Sequence, residues 1–148
     1  IDDAGVHHSH GFVVEGFMTF HDGEGGRQRG VNIVFKTEVD GLKLAHLGDL
    51  GHLLSPAQLQ TLGEVDVLFL PVGGRFTIDA AQAAALVEQV KPKIAIPMHY
   101  KTRYLRMEIS DERGFVESFD HTYLKKDTIE LTPQTISDYP QVVVLEYA

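Results

Sequence analysis

Two short apolar runs joined by one amphipathic helix constrain this chain more than any other feature. Asp66-Val-Leu-Phe-Leu70 is a continuous apolar segment of the kind that makes a strand buried on both faces, and Pro71-Val-Gly-Gly74 ends it. Thr77 is expected to cap a helix over 78–90, with Asp79 in its first turn and apolar residues at 83, 86, 87 and 90. Lys91-Pro92 closes that helix, because the residue before a proline is pushed out of the helical region. Ile94 to Pro97 then reads as the next buried strand. Strand, helix, strand in this order is a βαβ crossover, which joins parallel neighbours.

The first half carries different signals. Gly11 to Phe20 is rich in β-branched and aromatic residues and predicts a strand, with Gly16 as a bulge or bend. Val31 to Glu38 predicts a second strand, and the Asp40-Gly41 turn returns Leu42 to Leu47 antiparallel to it. Between them, His21 to Gly30 holds four glycines in ten residues and cannot be a strand. Ser55-Pro56 starts a short helix through Leu62, stopped by Gly63. Beyond His99 the pattern weakens to a short helix near Asp111 to Phe119 and strands at Thr128–Leu131 and Val142–Tyr147. The expectation is one α/β layered domain over residues 1–148, antiparallel in its first half and parallel in its second.

Composition excludes several functions. There is no cysteine, so disulfides, iron–sulfur clusters and thiolate zinc sites are ruled out, and any metal must sit on His and carboxylates. A net charge of −8 argues against nucleic acid as a partner. No apolar stretch approaches the ~20 residues of a membrane span, and the expected location is the cytoplasm. The charge is unevenly spread. Residues 1–24 carry Asp2, Asp3, Glu15, Asp22 and Glu24 with no Lys or Arg, whereas residues 91–106 carry Lys91, Lys93, Lys101, Arg103 and Arg106 with no acid. Both runs read as solvated surface or, for the basic one, as the border of a site for a small anionic substrate.

Three of the eight histidines fall at ends of predicted strands: His21, His46 and His99. Asp49 lies just past the strand that ends at His46. Loops beyond strand ends are where a rigid sheet displays ligands, and His21, Asp49 and His99 come from three different strand ends. Neutral imidazoles with a carboxylate suit a borderline cation such as zinc. Each residue also has a plainer reading: Asp49 as a turn residue between Gly48 and Gly51, His99 as a loop donor, His21 as an exposed strand terminus. His46 and His52 are expected to pack in loop or core rather than to orient a ligand. Arg29 and Asn32 are expected to hold the glycine-rich loop, Gly73-Gly74 to allow a close backbone approach, and His121 to lie on the surface. HExxH, GxSxG and GxxxxGK[ST] are all absent.

Five segments in unbroken order carry a resemblance: His21-Asp22, Arg29-Gly-Val-Asn32, Ala45-His-Leu-Gly-Asp-Leu-Gly-His52, Val65-Asp-Val-Leu-Phe-Leu-Pro-Val-Gly-Gly74 and Ile96-Pro-Met-His-Tyr-Lys-Thr102. The chain resembles the metallo-β-lactamase superfamily, in particular bacterial metal-dependent hydrolases akin to the ascorbate-6-phosphate lactonases. The resemblance implies an αββα sandwich, of which this chain represents the C-terminal two-thirds. It also implies metal ligation by His21, Asp49 and His99, with Asp49 bridging two ions and carrying the catalytic role. Zinc is the first choice of divalent metal, with manganese or iron allowed. Tyr100 and Lys101, beside His99 and inside the basic run, are the candidate substrate contacts.

The family's HxHxDH motif is not present. His7-His8-Ser9-His10 supplies only a His-x-His, placed too close to His21. The expectation is that the first third of a family member is missing here; the alternatives are a separate His7/His8/His10 metal site or a flexible polar tail. The implied activity is hydrolysis of an ester, lactone, amide or phosphoester by a metal-activated water. The rival is a non-catalytic module of the same fold that binds a ligand or partner chain. A homo-oligomer, or pairing with the missing N-terminal segment, is expected from the apolar faces left open by Phe12, Phe17 and Phe20.

Overall fold

The computed structural model describes residues 3–9 and 11–147. Its strands are β1 (Gly5–Ser9), β2 (Phe12–Phe20), β3 (Val31–Val39), β4 (Leu42–His46), β5 (Val67–Pro71), β6 (Ile94–Met98), β7 (His121–Tyr123) and β8 (Val142–Val144). They form one sheet in the order β1-β2-β3-β4-β5-β6-β8-β7. β1 to β4 are an antiparallel meander, and β4, β5, β6 and β8 run parallel, with β7 parallel to β8 at the edge. Asp40 and Gly41 both take positive φ (50° and 78°), the conformation a two-residue hairpin turn demands.

Three helices connect the parallel strands: α1 (Pro56–Leu62), α2 (Ala80–Val90) and α3 (Arg113–Val116). Ser55 and Gln58 close a reciprocal capping box at α1. α2 starts later than expected, because Asp79 rather than Thr77 is its cap. The Asp79 carboxylate accepts from the Gln82 amide at 2.8 Å and Gln82 Oε1 accepts from the Asp79 amide at 3.1 Å. Thr77 has no such partner three residues on, and its hydroxyl donates to the Ile78 carbonyl instead.

Strand alternation sends side chains to two separate layers. On the helix face, Val34, Ala45, Leu68, Leu70, Ala95, Val142 and Val144 pack with Leu62, Ala83, Leu86, Val87, Phe115 and Val116 of the helices. On the other face, Leu42, Val67, Ile94, Ile96 and Val143 are covered by Ile136 and, in part, Leu124, Ile129, Leu131 and Tyr139. β5 and β6 are therefore buried on both faces, as their unbroken apolar sequence requires.

Three expectations need correction. Gly16 is no bulge: it sits in an uninterrupted ladder opposite Gly5 and Phe35, where a Cβ would press on the Phe35 ring. Thr128–Leu131 is not a strand. Ile129 and Leu131 cover the sheet face, and the edge place beside β8 is taken by β7. Residues 5–9 are not a tail but strand β1, whose pleat sends the adjacent His7 and His8 to opposite faces. His10 lies outside the described residues. No helix among the described residues is long and apolar enough to cross a membrane.

Leu68 is fully buried at the centre of the helix-facing layer. Leu68→Ala is expected to cost about 3 kcal/mol, the usual range for a buried Leu truncation with its residual cavity. Urea unfolding of both proteins measures this, and an unchanged midpoint would contradict the placement of the core.

Candidate metal centre

The direction of the strands decides what can meet. β2 and β4 are two antiparallel steps apart and so point the same way, and β5 and β6 run parallel to β4. The residues just past these four strands consequently share one edge of the sheet. His21 follows β2, Asp49 follows β4 and His99 follows β6. All three sequence candidates are brought together there, at the carboxyl ends where open α/β sheets hold ligands.

His21 is fixed from both sides. Its own amide donates to the Gly30 carbonyl at 3.1 Å, and the Gly51 amide donates to Phe20 O at 3.0 Å. A Cβ on Gly51 would collide with the His21 backbone, so only glycine lets the two loops approach this closely. His52 ties the same junction. Its Nε2 accepts from the Phe20 amide at 3.2 Å while Nδ1 donates to Leu53 O at 2.7 Å, which makes it a loop-packing residue.

Asp22, next to His21 in the first of the resembling segments, is a determinant to which the sequence analysis gives no role. Its carboxylate is buried and accepts four backbone N–H groups, from Glu24 (2.8 Å), Gly26 (2.9 Å), Gln28 (3.0 Å) and Arg29 (2.7 Å). Burial alone pushes its pKa up, but the four donors outweigh it and hold the group down to about 2. This single side chain folds the glycine-rich loop. The signal is present in the sequence as one acidic residue opening a segment rich in turn-forming glycine.

Asp49 is held through Asn32. The Asn32 Oδ1 accepts from the Asp49 amide at 2.9 Å, and Nδ2 donates to Leu47 O at 2.9 Å and Thr19 Oγ1 at 2.7 Å. Asn32 thus anchors the Gly48-Asp49 loop, not the glycine-rich loop expected for it. Arg29 lies over the Phe76 ring at 5.5 Å.

His99 takes a left-handed backbone (φ 51°), uncommon for a residue with a side chain. Gly73 makes room for it, since a Cβ there would strike the His99 carbonyl oxygen. The close backbone approach expected of Gly73-Gly74 is this contact.

The resulting geometry is divided evenly about one carboxylate. His21 Nε2 stands 4.0 Å from Asp49 Oδ2, and His99 Nε2 stands 4.0 Å from Asp49 Oδ1. His21 Nε2 and His99 Nδ1 are buried without any hydrogen-bond partner. Among the described residues no three His, Asp or Glu groups converge on one ion position. The trio is better described as two His/Asp pairs that share Asp49, and each pair can supply two of the four or more donors a divalent ion takes.

Beside Asp49 and His99 opens a cleft of about 610 Å³, lined also by Val31, Ile33, Phe35, His46 and Met98. Tyr100 and Lys101 do not line it. Tyr100 packs against the helix-side core, and burial first, then Glu112, raise its phenol above the usual value. Lys101 donates from Nζ to Met107 O at 2.6 Å, across its own loop. The basic run is divided in space, because Lys93 pairs with Asp66 at 2.9 Å before the starts of β5 and β6, the end opposite His99.

A mixed sheet that gathers two imidazoles and one carboxylate beyond parallel strand ends defines a ligand-holding α/β class. Comparison with known proteins narrows the class. Residues 1–99 match the sequence model of the β-lactamase superfamily domain. A solved structure from Thermotoga maritima, assigned as a Zn-dependent hydrolase of the metallo-β-lactamase superfamily, superimposes with a TM-score of 0.80 and 38% identity, over 98% of this chain and 70% of that one. Curated relatives described as UPF0173 metal-dependent hydrolases are also similar. The relative from Carboxydothermus hydrogenoformans is 46% identical over 68 residues, 46% of this chain and 30% of that protein. The one from Hyperthermus butylicus is 34% identical over 104 residues, 70% of this chain and 44% of that protein. The chain belongs to the metallo-β-lactamase superfamily, and it spans less than half the length of these two curated relatives.

Two outcomes follow from the anchors. Asn32→Ala removes two buried hydrogen bonds and one part-buried one, at an expected cost of about 3 kcal/mol; urea unfolding at the wild-type midpoint would contradict it. Asp22 has a folded pKa below its ordinary 3.8, so its stabilisation is complete above 3.8 and is lost as pH falls toward 2. The amide proton shifts of Glu24, Gly26, Gln28 and Arg29 should therefore titrate together with a midpoint near 2, and a midpoint at the ordinary value would refute the four-donor clasp.

Proposed function

We propose that this chain serves a metal-dependent hydrolase, with His21, Asp49 and His99 as metal ligands and Asp49 shared between two divalent ions. The observation that carries the reading is the split of Asp49, one oxygen facing each imidazole at the same 4.0 Å distance. The partnerless buried Nε2 of His21, the nitrogen that faces Asp49, supports it, since a buried polar atom without a partner is costly unless something else takes its lone pair. Nitrogen and oxygen donors without thiolate fit zinc first, and also manganese or iron. When bound, the metal supplies Lewis acidity toward water and toward the scissile ester, lactone, amide or phosphoester group.

The chain's own residues do the positioning. Asn32 sets the Asp49 loop, Gly51 and Asp22 set His21, and Gly73 sets His99. Asp49 is the catalytic member, because it alone faces both positions. Lys101, Arg103 and Arg106 follow His99 with no acid among them, and their field favours small anionic substrates in a chain that is otherwise negative. Tyr100 and Lys101 stay the proposed substrate contacts of that loop on the ground of their place directly after His99 in the sequence. The setting that fits is the cytoplasm. Met18, more than half exposed on the sheet face away from the helices, fits pairing with further family sequence or a second copy.

Zinc titration with a competing chelator tests the metal reading. His21→Ala and His99→Ala should each weaken one class of zinc site by at least about tenfold, whereas Asp49→Ala should weaken both. A chain that folds and whose zinc affinity is the same in wild type and all three variants would instead fit the non-catalytic module. Substrate preference is tested by kcat/KM on matched anionic and neutral esters over a salt series, in wild type, Lys101→Ala and Arg103→Ala. The anionic ester should be favoured, and the preference should shrink with salt and in both variants; salt-insensitive, unchanged rates would return the basic run to plain surface.

A further inference from the structure

The metal reading leaves one polar side chain of the cleft without a role. His46 ends β4, three residues before Asp49, and lines the same cleft as Asp49 and His99. In the ladder it lies between Phe35 of β3 and Phe69 of β5, and its ring stacks on Phe69 with centroids 5.9 Å apart and planes 28° from parallel. Its Nδ1 accepts from the Gly48 amide at 3.1 Å. An amide can only donate, so Nδ1 is the unprotonated nitrogen and the ring proton sits on Nε2. Desolvation agrees by lowering the His46 pKa, against the opposing pull of the Asp49 carboxylate.

The consequence is a neutral imidazole with a fixed tautomer, clamped by a stack and a backbone bond, whose Nε2–H has no acceptor among the described residues. Of the other lining residues, Val31, Ile33, Phe35 and Met98 have no side-chain oxygen, the Asn32 Oδ1 is taken by the Asp49 amide, and the Asp49 carboxylate makes no hydrogen bond to His46. A pre-oriented donor set among apolar and polar side chains is the arrangement by which sites fix the orientation of a ligand.

We infer that His46 is a substrate-binding residue that donates its Nε2–H to an oxygen of the hydrolysed group, a phosphoryl or carboxyl oxygen presented beside Asp49. The inference rests on the hydrolase reading for the identity of the ligand, but not for the geometry of the donor. Specificity then comes from a requirement for an acceptor oxygen at this point, since a ligand lacking one would leave the donor unpaired.

Inorganic phosphate is the probe, titrated calorimetrically into the zinc-supplemented protein. His46→Phe keeps the ring and its stack but removes the donor, and His46→Gln restores an N–H. Phosphate binding is expected to weaken about tenfold in His46→Phe, the size of one hydrogen bond to a charged acceptor, and to recover most of that loss in His46→Gln. Zinc content and the unfolding midpoint are measured on the same samples and should match wild type, which separates ligand contact from a structural role. Equal phosphate affinity in wild type and His46→Phe, including no binding by either, would overturn the inference. Loss of zinc from the wild type would count against the metal reading alone, because the ratio of wild-type to His46→Phe affinity still decides the role of His46.

Discussion

The common direction of β2, β4, β5 and β6 is the constraint on which everything else depends. Two antiparallel steps restore strand direction, so the meander delivers its second and fourth strands to the same edge as the parallel pair that follows. Had β3 been absent, His21 would lie at the opposite end of the sheet from Asp49 and His99. The site is thus a property of topology before it is a property of any side chain, and the largely buried β5 and β6 give it a rigid base.

Topology alone places groups within several ångströms, and finer placement falls to backbone fit. Gly51 against His21 and Gly73 against His99 are contacts that any Cβ would block. Asn32 and Asp22 add the polar counterpart, each satisfying several backbone groups of a loop that has no ladder to bond to. The same device recurs in all these loops: one small, amide or carboxylate residue fixes one functional neighbour.

Much of this is legible in the sequence. The βαβ unit, the Asp40-Gly41 hairpin and the meeting of His21, Asp49 and His99 all follow from patterns with a physical basis, namely apolar period, turn chemistry and strand-end position. The parts that are not legible depend on tertiary neighbours. Thr77 and Asp79 both suit a helix cap, and only the reach of Gln82 decides between them. Ile129 and Leu131 alternate like a strand, yet their partner is a sheet face and not an edge. Asn32 stands nearest in sequence to the glycine-rich loop, but β3 carries it beside Leu47 and Asp49. Lys101 stands two residues from His99 in sequence, and the tight 101–110 loop turns its ammonium to Met107.

The central claim is that Asp49 divides two metal positions between His21 and His99. Anomalous scattering at the zinc edge, from crystals of the protein grown with zinc, tests it most directly. Zinc density is expected on each side of Asp49, one peak beside His21 Nε2 and one beside His99. Zinc found only elsewhere, for instance on His7 or His121, with the Asp49 carboxylate free of metal, would contradict it.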